Sequence, residues 1–134
     1  MRVRVSAKIY PSEDIEKVKK AVKNLFPTIN LEILEKEKLL VGEGDKEAIN
    51  HFRYLLHKEK ILDAARKVIK SATKREGDLY HSQFDVNKQV AFVGKISFST
   101  EGESPLGPIT IEITSKEEFI DWLAPRTIDG KPVK

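Results

Sequence analysis

Cysteine is absent from this 134-residue chain, and methionine and tryptophan occur once each. Without thiols there is neither a disulfide framework nor a thiolate metal site, which disfavours small secreted scaffolds and points to a reducing cytoplasm. Long apolar runs are lacking too. Lys or Glu interrupts each one well short of the ~20 residues of a membrane span, and Met1-Arg2-Val3-Arg4-Val5 alternates charge with valine where a secretory signal would carry an apolar block. No Walker-type phosphate cradle occurs, Gly42-Glu43-Gly44 resembling one only superficially and reading better as a strand-to-helix turn with positive φ. Ser82, Ser97, Ser99 and Ser104 lack a nucleophile elbow. His51, His57 and His81 do not pair at ligand spacing, so a metal would require His81 to meet Asp78 or Asp85. With no nucleophile, poised base or metal shell written into it, the chain reads as a non-enzymatic binding protein without a cofactor.

What the chain has in quantity is charge. Asp, Glu, Lys and Arg make up 34%, with Lys and Glu dominant and only two glutamines, Gln83 and Gln89, a bias expected of a heat-adapted protein. The formal net charge of +3 is unevenly spread: residues 1–75 hold 18 Lys+Arg against 11 Asp+Glu, whereas residues 76–134 hold 6 against 10. The base-rich surface is therefore expected in the first half.

The length suits one domain over residues 1–134, with 126–134 as a C-terminal tail that turns on Asp129-Gly130. Strict alternation from Arg2 to Ile9 predicts a half-buried strand that Pro11 ends. Ser12 is placed to cap a helix whose stripe is Ile15, Val18, Val22 and Leu25, ending before Pro27. Two short strands follow (residues 30–37 and 38–42). Asp45 then caps a helical region whose period shifts near Lys58-Glu59-Lys60, giving either two consecutive helices or one bent one, closed by Gly77 after a basic last turn. Strands are expected over 79–86, 90–100 and 108–114, and a last helix opens with Ser115 and Glu118 as a capping box. The order β-α-β-β-α-α-β-β-β-α implies an α+β fold, two layers, with helices on one face of an antiparallel-rich sheet.

Phosphate recognition needs Lys and Arg on one surface. Candidates are Arg2 and Arg4 on the first strand, Lys20 on the first helix, and Arg66, Lys67, Lys70, Lys74 and Arg75, where no acid intervenes. Asn87-Lys88-Gln89 reads either as a loop patch for RNA hydroxyls and phosphates or as a hairpin turn with Asn87 left-handed. Ser104 to Pro108 divides between a rigid finger and a plain turn, and Trp122 reads as core. Residues 58–124 share the order α-β-β-β-α with double-stranded-RNA-binding domains, but Lys116-Glu117-Glu118 and Asp121 stand where those domains carry a lysine cluster.

The segments Asp85-Val86-Asn87-Lys88-Gln89-Val90-Ala91, Gly94 and Glu103-Ser104-Pro105-Leu106-Gly107-Pro108-Ile109, with Pro125-Arg126-Thr127 and Asp129-Gly130, resemble a small archaeal family described as predicted RNA-binding or exosome-associated proteins. The resemblance spans essentially the whole chain. It implies RNA as partner, a homodimer or an RNA-processing assembly, and a fold similar to the large-subunit ribosomal protein that holds the small ribosomal RNA. Two rivals stand beside it. One is an assembly or regulatory protein that pairs through a sheet edge or a helix face, and the other an enzyme for a small acidic ligand with Asn87, Lys88 and His81 in one pocket.

Overall fold

The computed structural model describes residues 1–99, 105–128 and 131–132. Its elements are β1 (Arg2–Lys8), α1 (Ile15–Leu25), β2 (Asn30–Leu34), β3 (Leu39–Gly44), a 3-10 turn (Lys46–Ile49), α2 (Asn50–Lys58), α3 (Leu62–Ala72), β4 (Thr73–Glu76), β5 (Leu79–Asn87), α4 (Lys88–Phe92), β6 (Pro108–Ser115), α5 (Ile120–Leu123), β7 (Thr127–Ile128) and β8 (Lys131–Pro132). The main sheet has six antiparallel strands in the order β2-β3-β1-β6-β5-β4, and β7 pairs with β8 separately. This is the α+β fold expected of the sequence.

Alternation decides which face of the sheet is covered. Val3, Val5 and Ala7 of β1, Ile109, Ile111 and Ile113 of β6, and Phe84 and Val86 of β5 point into a core completed by Val18, Leu25, Phe52, Leu56, Ala65 and Ile69 from the helices. Their neighbours, among them Arg2, Arg4, Glu112, Gln83 and His81, lie on the opposite, helix-free face. α2 lies against both α1 and α3, and α3 packs on β5. Gly42 and Gly44 serve close approach and not the expected positive φ. A Cβ at Gly42 would stand 2.9 Å from Ile29 Cγ1, and one at Gly44 2.5 Å from Ala48 Cβ.

Several local expectations change. α1 is capped by Asp14, whose carboxylate accepts from Glu16 N at 2.9 Å, because Ser12 lies in a turn closed by Glu13 N donating to Tyr10 O. The helical region is two helices. Lys60 N donates to His57 O and Ile61 N to Leu56 O, the paired bonds of a Schellman C-cap, with Lys60 at φ 56 where glycine is usual. α3 stops at Ala72, so Lys74 and Arg75 belong to edge strand β4, and Gly77 (φ 60) turns the β4-β5 hairpin instead of capping a helix.

The expected strand from Val90 is instead α4 and a loop touching β5 through a single bridge, Val86 to Phe98. Asn87 caps α4 at φ −69, accepting from Val90 N at 2.9 Å. Asn24 Nδ2 holds the other end, donating to Ala91 O and Phe92 O. Here tertiary contacts override the β propensity of Val90 and Val93. The order after α2 is thus α3-β4-β5-α4-β6-α5, and the inserted helix breaks the analogy with double-stranded-RNA-binding domains. Near the C-terminus, Ser115 Oγ accepts from Glu117 N at 3.1 Å, whereas Glu118 accepts from Ile120 N instead of reaching back to Ser115, so α5 is a single turn. Thr100, Ser104, the Asp129-Gly130 turn and the last two residues lie outside the described residues.

Candidate nucleic-acid interface

Electrostatic pairing sorts the predicted cations into three groups. On the open face, Arg2 Nη2 lies 3.3 Å from Glu43 Oε1, and Arg4 Nη1 lies 3.2 Å from Glu112 Oε2 with Glu43 at 4.0 Å. Strand register puts both acids directly opposite Arg4, Glu43 on one side and Glu112 on the other, and leaves Glu43 diagonal to Arg2. That face is therefore charge-balanced, with His81 Nδ1 3.1 Å from Thr114 Oγ1. Its arginines are not available to phosphate without first breaking ion pairs.

A second group is consumed in holding elements together. Arg66 Nη1 donates to Asp121 Oδ1 at 2.6 Å and to Ala124 O at 3.2 Å, which docks α5 on α3. Lys88, read from sequence as a loop contact, is 4% exposed. Its ammonium donates to Lys8 O at 2.7 Å, Leu106 O at 2.8 Å and Glu13 Oε1 at 3.0 Å, tying β1, the loop before β6 and the start of α1 to α4. Lys20 of α1 is not consumed in this way: it is exposed, and its Nζ only rests 4.8 Å from the centre of the Phe92 ring. α2 packs against both α1 and α3, and so Lys20 is not brought into the α3 group. Asn87 is spent as a cap, and only Gln89 of its triplet stays exposed. Along β5, His81 is ~20 Å from Asn87, so the pocket of Asn87, Lys88 and His81 does not form.

The third group remains free. Lys67, Lys70, Lys74 and Arg75 are exposed, and among the described residues no carboxylate oxygen lies within 4.0 Å of them. Lys67 and Lys70 are one turn apart on α3, which runs directly into β4 through Thr73, whose hydroxyl donates to Ile69 O at 2.6 Å. Adjacent strand residues project to opposite faces, so Lys74 and Arg75 straddle the edge of the sheet. Arg75 is held with its guanidinium carbon 5.5 Å from the centre of the Tyr80 ring. The four charges span about 20 Å at most along helix and strand. Of the predicted cations, these four form one contiguous run without an acid beside it among the described residues, Lys20 stays apart on α1, and acids from distant segments lie against Arg2, Arg4 and Arg66.

Sequence periodicity gave no sign that Lys46 and Arg53 meet Trp122, which read as core. Lys46 Nζ and Arg53 Cζ lie 4.6 and 5.1 Å from the centre of the Trp122 ring, and Arg53 Nε donates to Trp122 O at 2.6 Å. Trp122 is half-buried, not fully in the core. Among the described residues no helix is long and apolar enough to cross a membrane.

The chain is 43% identical to a UPF0201 protein of Methanopyrus kandleri, over 98% of the chain and 89% of that protein. It is 45% identical to a UPF0201 protein of Metallosphaera sedula, over 98% and 93%. The crystal structure of a UPF0201 protein from Methanococcus jannaschii superposes with a TM-score of 0.85 at 32% identity, covering 100% of both chains. A family model described as RNA binding matches residues 2–115. The chain belongs to this RNA-binding family and, with the relatives above, to the UPF0201 proteins.

Proposed function

We propose that this protein binds structured RNA without catalysing a reaction, through phosphates laid across Lys67, Lys70, Lys74 and Arg75. The observation that carries the reading is the lack of any carboxylate within 4.0 Å of these cations among the described residues, whereas Arg2, Arg4 and Arg66 are each paired with one. Uncompensated ammonium groups on a rigid helix-strand junction release counterions when they meet a polyanion, the main source of sequence-independent affinity. The family description supports RNA as the polyanion. Recognition of phosphates and shape suits a subunit that holds RNA for the chemistry of others, and we place it in cytoplasmic RNA processing or degradation, as part of an assembly or as a homodimer.

The test is salt-dependent binding of a hairpin RNA to the parent, to K67E/K70E/K74E and to Arg4→Gln. The triple variant is expected to lose most affinity at low salt and to show a shallower salt dependence, whereas Arg4→Gln keeps the parental slope because Glu112 and Glu43 already neutralise Arg4. Equal binding by the triple variant and the parent would remove the patch from the interface.

A further inference from the structure

Three strand ends meet where β1 begins, β6 ends and β5 begins, and a cavity of about 660 Å³ opens there. Arg2, Lys46, Leu79, Thr114, Lys116 and Trp122 are among the residues around it. Building on the RNA-binding reading above, we propose that this cavity receives one unpaired nucleotide of a bound RNA, its base against the Trp122 indole and its phosphodiester between Lys46 and Lys116.

Position favours this. Arg75 lies opposite Tyr80 in the β4-β5 ladder, and Tyr80 lies opposite Ser115 in the β5-β6 ladder. Ser115 and Leu79 line the cavity, so the phosphate patch leads across neighbouring strands to its mouth. The size is that of a small-molecule site, which usually falls at ~300–1,000 Å³.

Its chemistry combines an aromatic surface with cations free to move. Lys46 is exposed, and among the described residues no carboxylate oxygen is within 4.0 Å of it. Its ammonium rests over the indole at 4.6 Å from the ring centre, so a bound phosphate can draw it off and leave the ring face for a base. Arg53 stays in place, anchored to Trp122 O, and holds the α5 turn. Glu117 and Glu118 also line the cavity, with Glu118 accepting from Ile120 N. Two acids beside the lysines disfavour a dianionic terminal phosphate and suit the single charge of an internal phosphodiester. The ligand is therefore a bulged or splayed nucleotide and not a 5′-phosphorylated end.

Trp122 is the sole tryptophan of the chain, so its fluorescence reports on the cavity directly. The experiment compares a hairpin RNA carrying a single-nucleotide bulge with a fully paired hairpin of equal length, on the parent and on Lys46→Gln, with thermal melts as the folding control. The parent is expected to bind the bulged RNA roughly tenfold more tightly and to show Trp122 quenching with that RNA alone. In Lys46→Gln the two RNAs should bind within about twofold of each other. Equal parental affinities with no differential quenching, or a bulge preference unchanged in Lys46→Gln, would overturn the assignment and leave the phosphate patch standing. Failure of both RNAs to bind would overturn the patch and the cavity together.

Discussion

Lys88 stands in a segment that reads as a polar loop, yet its side chain is 5% exposed and that of its partner Glu13 is 8% exposed. Neither charge could be carried that far from water alone. The pair persists because Lys88 also donates to two carbonyls and Glu13 also accepts from Tyr10 N at 3.0 Å. Breaking it from one side leaves an uncompensated buried carboxylate, so Lys88→Met is expected to cost about 3–5 kcal/mol in urea unfolding. Adding Glu13→Gln, which keeps an acceptor for Tyr10 N while removing the stranded charge, should recover part of that loss. A Lys88→Met protein as stable as the parent would show that the pair contributes nothing.

His57 offers a second prediction at this scale. Burial first, and the Arg53 guanidinium second, hold its imidazole below the ordinary value of 6.5, and its Nε2 is buried with no hydrogen-bond partner among the described residues. Since the folded form takes up the proton less readily than the unfolded chain, the unfolded state binds more protons between the lowered value and 6.5. Stability is therefore unaffected well above that window and falls as pH drops through it, by no more than ~1.4 kcal/mol per pH unit, the limit for one proton. Urea titrations from about pH 7.5 down to about 5.5 should show a larger loss for the parent than for His57→Gln. Parallel losses would mean that His57 titrates as it does in the unfolded chain.

At the scale of elements, local chemistry was legible wherever it needed no distant partner. The period-2 run of β1, the apolar stripe of α1 and the hairpin of β2 and β3 all follow from the order of residues. The α2-α3 break was visible as a phase shift, but its form was not, because a Schellman cap normally announces itself with glycine and here uses Lys60. A left-handed lysine is strained by ~1–2 kcal/mol. Lys60→Gly is thus expected to raise stability by about 0.5–1 kcal/mol after its larger unfolded-state entropy is subtracted. A lower unfolding midpoint for that variant would contradict the cap. α4 was illegible for a different reason: a five-residue helix is too short to establish a period, and Asn24 holds its far end from α1.

For the whole molecule, the question is how many cations remain after folding. If Lys67, Lys70 and Lys74 each neutralise one phosphate, their reversal should flatten the slope of log affinity against log salt by roughly 2–3 units, since each contact contributes ~0.7–0.9. Lys74 and Arg75 of that patch sit on edge strand β4 and discourage edge-to-edge pairing, so the same two residues serve both solubility and binding.

The sequence by itself determined the α+β class, the helix-covered face of the sheet, most element positions and the segment where free cations concentrate, because periodicity, caps and charge runs act over a few residues. Only the tertiary structure decided which charges survive. Glu43 and Glu112 reach Arg2 and Arg4 through strand pairing, Asp121 reaches Arg66 through helix docking, and Glu13 reaches Lys88 where the start of α1 meets α4. Each of those partners is more than 35 residues away along the chain, where sequence order carries no information about distance and only the packed sheet and helices bring the charges together.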